Sequence, residues 1–173
     1  MKTKILIITF CLFAYIGFSQ EANAIVGVWE PSNGKVYVKI DKIDDKYYGK
    51  IVWLREPKDP ETGEPKTDIN NPDESMRDVP LRGYRMLKDF EYKGDGVWEN
   101  GTIYDPQNGT TYDCVINLKD ENTLNIRGYV GLKTFGRTDT WKRLQKKKNY
   151  IFLIFLTKPI SIRWLPTGID MPL

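Results

Sequence analysis

Residues 25–40 read IVGVWEPSNGKVYVKI. Trp29 stands just ahead of a Pro31-Ser32-Asn33-Gly34 turn, and Val36, Val38 and Ile40 then alternate with Tyr37 and Lys39. Proline presets φ for the first corner of a type I turn, and glycine takes the left-handed position that closes it. Alternation with a period of two buries one face of a strand and leaves the other in water. The stretch therefore reads as an opening hairpin. The question is whether the rest of the chain carries that pattern round into a closed ring.

Its neighbours repeat the pattern. Tyr112, Cys114, Ile116 and Leu118 alternate with polar residues, and Leu124, Ile126, Gly128 and Val130 alternate with Asn125, Arg127 and Tyr129. Further strands are expected at 47–54, 84–91, 97–104 and 138–144. The turn chemistry recurs at Asp59-Pro60-Glu61-Thr62-Gly63 and at Asp105-Pro106-Gln107-Asn108-Gly109. Gly94-Asp95-Gly96 and Asp120-Glu121-Asn122 read as two more hairpin turns. No helical period persists over three turns between residues 25 and 144. Strands joined by tight turns at this spacing indicate an antiparallel meander, hence a sandwich or barrel. The exception is 55–81, long, polar and rich in Pro, Asp, Glu and Asn. Its composition fits a functional lid and an unstructured segment equally well.

The chain ends differ from its middle. Lys2 and Lys4 precede an apolar run from Ile5 to Phe18, with Gly17 and Ser19 as small residues before a cleavage point. This reads as a signal peptide over 1–19, shorter than the ~20 residues of a membrane span. The protein is therefore expected to be exported, to the periplasm or outside the cell. A domain over 25–144 follows, and then a tail over 145–173 of uncertain role. Lys146, Lys147 and Lys148 open that tail ahead of the apolar run 150–156, a combination suited to weak contact with an anionic membrane surface. The net charge of +3 comes from these two ends. The stretch between them is mildly acidic and shows no basic face, which argues against nucleic acid as a partner.

Histidine is absent from all 173 residues. Serine-histidine and cysteine-histidine catalysis and the common zinc sites fall away together. No cofactor is expected. Beyond the signal, Cys114 is the one cysteine, so no internal disulfide is available, and it reads as a small buried apolar side chain. The run Asp68 to Glu74 clusters oxygen donors, but Pro72 and the lack of a central glycine break the spacing of a calcium loop. It reads as a solvated turn, and no metal site is assigned.

Five blocks together resemble one bacterial family: GVW at 27–29, YGKIVWL at 48–54, TDINNPDESMRDVPLRG at 67–83, GTIYDPQNGTTY at 101–112 and RGYVGLKTFGRTDTWKR at 127–143. The resemblance is to domain of unknown function 2147, over about 25–144. It implies an exported, all-β protein: a small antiparallel lipocalin-like (calycin-like) β-barrel of about eight strands. It implies no activity. The wider lipocalin pattern further implies that Gly27, Trp29 and Arg143 are closure residues, the indole filling the narrow end beneath a guanidinium from the last strand.

Aromatic residues are abundant on the expected strands. Trp53, Trp98 and Tyr112 are the candidate lining of an interior pocket, with Arg137 as an anchor for a carboxylate or phosphate. The favoured reading is a barrel that binds a small apolar or amphipathic ligand, such as a fatty acid or lipid, in the cell envelope; the lipid part rests on fold analogy. One alternative is a filled barrel acting as a protein-interaction module. The other is a histidine-free hydrolase built on converging carboxylates, for which no catalytic residue is assigned.

Overall fold

The computed structural model describes residues 21–145. The segment 1–19 expected to be a signal peptide, and the tail beyond Gln145, with Lys146, Lys147 and Lys148, lie outside the described residues. Eight strands follow one another: β1 (Gly27–Glu30), β2 (Val36–Ile43), β3 (Lys46–Leu54), β4 (Arg85–Gly94), β5 (Val97–Asp105), β6 (Thr110–Asp120), β7 (Thr123–Tyr129) and β8 (Arg137–Arg143). Each pairs antiparallel with the next in a closed barrel. The ring is completed by β1 against β8, in register Trp29↔Arg143 and Glu30↔Lys142. The opening hairpin pairs Gly27 with Ile40 and Trp29 with Val38.

Bulges decide which side chains point inward. On β5, Trp98 pairs with Ile116 but Gly101 with Cys114, so β5 carries one extra residue there. Asn100 takes the strain at φ 63°, as does Asp89 on the adjoining β4. Such an insertion twists the strand and restores the inward row beyond it. The inward rows then fit by size. An added Cβ at Gly101 would lie 2.4 Å from Phe90 Cγ, and one at Gly49 2.6 Å from Leu87 Cδ1. Each large side chain thus lies across a glycine of the neighbouring strand.

The two ends of the barrel differ. At one end lie the β2–β3, β4–β5 and β6–β7 turns together with the short 3-10 turn Asn23–Ile25. The other end carries the β1–β2 turn, the long β3–β4 connection, the β5–β6 turn and the β7–β8 loop. The long connection is ordered by its own bonds. It contains two isolated bridges, Lys58↔Pro65 and Thr67↔Pro80, and a 3-10 turn at Glu74–Met76 capped by Asp73. Within it the run Asp68 to Glu74 corrects the solvated-turn reading: Asp68 and Asn71 are buried. The Tyr104 hydroxyl donates to Asp68 at 2.8 Å, and Asn71 Nδ2 donates to the same carboxylate at 2.6 Å. Asn70 Nδ2 donates to the carbonyls of Pro106 and Gln107. Tyr104 faces away from the barrel axis, so these bonds fasten the connection to the outside of the wall.

Candidate functional site

The end with the 3-10 turn is filled. Trp29, Trp98, Tyr47, Phe90 and Leu124 are at most 1% exposed. Every polar tip among them meets the N-terminal segment or the wall. Trp29 Nε1 donates to Ile25 O at 2.8 Å, Trp98 Nε1 to Ala22 O at 3.2 Å and the Tyr47 hydroxyl to Asn23 Oδ1 at 3.2 Å. Arg143 lies with its guanidinium carbon 4.1 Å from the centre of the Trp29 ring. It donates from Nη1 to Val26 O, from Nη2 to Ala24 O and from Nε to Glu121 O. An added Cβ at Gly27 would lie 2.6 Å from Arg143 Nη1, and Gly27 has φ 147°. Glycine is therefore needed there on two counts, space and backbone angle.

The opposite end is more exposed. Strand pairing puts Ile103, Tyr112, Gly128, Arg137 and Asp139 on the inward rows toward that end: Ile103 opposite Tyr112, Gly128 opposite Arg137 and Ile126 opposite Asp139. Ile103, Tyr112, Gly128 and Asp139 are half-buried, and Arg137 is exposed. An added Cβ at Gly128 would make ordinary contacts of 3.5 Å with Ile103 and Tyr112, so that position is not closed by a side chain crossing it. The Tyr112 hydroxyl accepts from Asn108 Nδ2 at 3.0 Å. Asp139 accepts from Trp141 Nε1 at 2.9 Å. Apolar walls thus meet a guanidinium, a phenol and a carboxylate. Such a set suits the chemistry of a short apolar chain with a polar head.

The sequence candidates fall in different places. Trp53 is on the outer face, 39% exposed, and stacks on Tyr37 with ring centres 4.3 Å apart. It lines no interior. Val38 pairs with Ile51 while Tyr37 pairs with Trp53, so Val52 is an extra residue that turns Trp53 outward. Trp98 belongs to the filled end, edge-on to Tyr47 at 6.2 Å. Tyr112 and Arg137 share the open end. Ile103, Gly128 and Asp139 join them without having been singled out. The 137–141 alternation, which puts Arg137, Asp139 and Trp141 on one face, was the signal that could have found Asp139.

Other chemistry is confined. Cys114 is buried among inward residues, and burial pushes its thiol up to about 12, so it is a poor nucleophile at neutral pH. Asp113, the acid next to Cys114 in sequence, is exposed on the outer face. Asp139 lies on the inward rows, and Asp105, opposite Thr110 and two residues beyond Ile103, shares their parity and accepts from Gln107 N in its own turn. A cleft of about 310 Å³ on the outer flank is lined by Glu30, Ser32, Asn33, Arg55, Thr140 and Lys142. It lies outside the wall, beside the β1–β8 seam.

Comparison with known proteins bears on this geometry. The profile of a family described as "Uncharacterized protein conserved in bacteria (DUF2147)" matches residues 27–143. Among solved structures, protein HP1028 from Helicobacter pylori, described as belonging to the lipocalin family, matches with a TM-score of 0.62 and 21% identity, over 75% of this chain and 88% of that one. At that identity the likeness is one of fold. No curated protein matches.

Proposed function

This chain belongs to the bacterial DUF2147 family, and on that footing we propose that its lipocalin-like barrel binds a small amphipathic ligand at the open end. The observation that supports this is the contrast between the two ends. One is sealed by Trp29, Trp98 and Tyr47 against the N-terminal segment. The other offers half-buried Ile103, Tyr112 and Gly128 beneath the exposed guanidinium of Arg137. A fatty acid or a lipid fragment fits this chemistry, its carboxylate or phosphate paired with Arg137 and its first carbons over Gly128. The filled lower half limits how deep such a chain can reach. The signal-like segment 1–19 supports a place for this binding in the cell envelope.

Native mass spectrometry on protein purified from its own envelope tests the reading. A co-purifying mass of fatty-acid or lysolipid size supports it. No such mass, together with no heat of binding on adding dodecanoate, overturns it. Substituting Arg137→Ala is expected to weaken binding about tenfold, in keeping with loss of a charge-assisted contact.

A second reading is favoured by one observation, the dense aromatic filling of the core by Trp29, Trp98, Trp141, Tyr47 and Phe90. A barrel filled along its whole length would act through its outer surface, as a protein-interaction module of the envelope. The same mass spectrum separates the two, since only the first carries a bound small molecule.

A further inference from the structure

The β7–β8 loop curls back against the outer wall and is held there. Arg127 donates from Nε to Lys133 O at 2.9 Å, from Nη2 to Thr134 O at 3.1 Å and from Nη1 to Thr138 Oγ1 at 2.9 Å. Lys133 Nζ pairs with Glu99 on β5 at 2.6 Å. Phe135 N and Gly136 N close the 3-10 turn on Leu132 O and Lys133 O. An added Cβ at Gly136 would lie 2.6 Å from Gly128 O, so the loop returns close upon β7. This bonding does not serve to bury the loop's apolar residues. Val130 is 69% exposed, Leu132 65% and Phe135 80%. Three large apolar side chains are thus fixed in water by polar anchors, an arrangement that costs solvation free energy and marks a contact surface.

We propose that this loop docks on an anionic phospholipid bilayer, with Val130, Leu132 and Phe135 set among the acyl chains and Arg137 facing the headgroup phosphates. The charge pattern argues for that occupant. From Arg127 to Arg137 the chain carries Arg127, Lys133 and Arg137 and no acidic residue. Among the described residues Arg137 has no ion pair. The nearby carboxylates are Asp139, two residues along β8 and bonded by Trp141 Nε1, Glu99, already paired with Lys133, and Asp113 on β6, whose strand partner is Tyr129. Size argues the same way. Three side chains on a short loop fall well below the ~800 Å² that each partner of a stable protein pair contributes. Insertion into a fluid apolar phase needs no complementary groove, and a few aromatic and aliphatic side chains beside cations suffice for reversible attachment. The docking surface meets the interior site at Arg137, and its apolar contacts through Val130, Leu132 and Phe135 do not require a bound ligand.

The test is co-sedimentation of the full chain with vesicles of mixed phosphatidylglycerol and phosphatidylcholine. The double variant Leu132→Ser with Phe135→Ser is expected to partition at least about tenfold more weakly than the parent, given the transfer free energy of the lost side chains. Its melting temperature should be unchanged, since both residues are exposed. Ile43→Ser, at the filled end, should bind as the parent does. Phe135→Trp should retain binding and show a blue-shifted emission on adding the vesicles. Equal partition of the double variant and the parent would mean that another segment holds the membrane, and would overturn the proposal. So would no binding by the parent, or equal binding to pure phosphatidylcholine. Loss of a dimer in the double variant on size exclusion, with vesicle binding intact, would assign the surface to a second copy of the chain and overturn it likewise.

Discussion

Arg143 satisfies three main-chain carbonyls and one indole face from a single side chain. Burial pulls its pKa below the ordinary value, yet an arginine stays charged, so the carbonyls are what make the position tenable. Lysine cannot reproduce that fork. Arg143→Lys is expected to cost about 1–3 kcal/mol and Trp29→Ala about 3–5 kcal/mol, both read from urea unfolding. A change under ~0.5 kcal/mol for Trp29→Ala would mean that the indole closes nothing. The wall glycines make a paired prediction. Gly101→Ala puts a methyl into Phe90 and should destabilise by ~1–3 kcal/mol, whereas Gly128→Ala meets only ordinary contacts and should fold normally. Such single positions were the least legible part of the sequence. Gly128 was read as one step of a strand, and nothing in composition says that its neighbours leave room above it. Trp53 shares its parity with inward Ile51, and only the extra Val52 moves it to the outside. A one-residue insertion leaves no mark on periodicity over so short a run.

The strands themselves were legible because tight turns and period two agree from Val36 to Arg143. The β3–β4 connection was not, because its order rests on pairings distant in sequence. Asp68 is held by Tyr104, 36 residues away. Composition shows polar residues but not which of them will be buried together. The pairing has a pH consequence. Burial, and then the bond to Asp68, raises the phenol pKa of Tyr104 above its ordinary 10.0. The folded state therefore holds that proton more tightly than the unfolded chain. The stability this provides is complete below pH 10.0 and is lost as pH rises above it. Urea midpoints across the alkaline range should fall more steeply for the parent than for Tyr104→Phe. Parallel slopes would mean that the phenol is as free in the folded state as in the unfolded one. At neutral pH the same variant, which removes a donor from buried Asp68, should cost about 1–3 kcal/mol.

The ring as a whole has one sealed end and one more exposed end, and the proposed binding rests on that asymmetry. Cys114 reports on the seal. Its thiol lies inside the wall, 1% exposed, so alkylation at that residue, followed by peptide mass mapping, should track global unfolding in urea. Rapid labelling in native buffer would reveal a wall that opens locally. The most direct test of the asymmetric barrel is an amide chemical-shift titration with dodecanoate. The expected result is saturable shifts at Ile103, Tyr112, Gly128 and Arg137, with Trp29, Trp98 and Ala22 unmoved. Shifts confined to the outer face around Tyr37 and Trp53, or none at all, would contradict it.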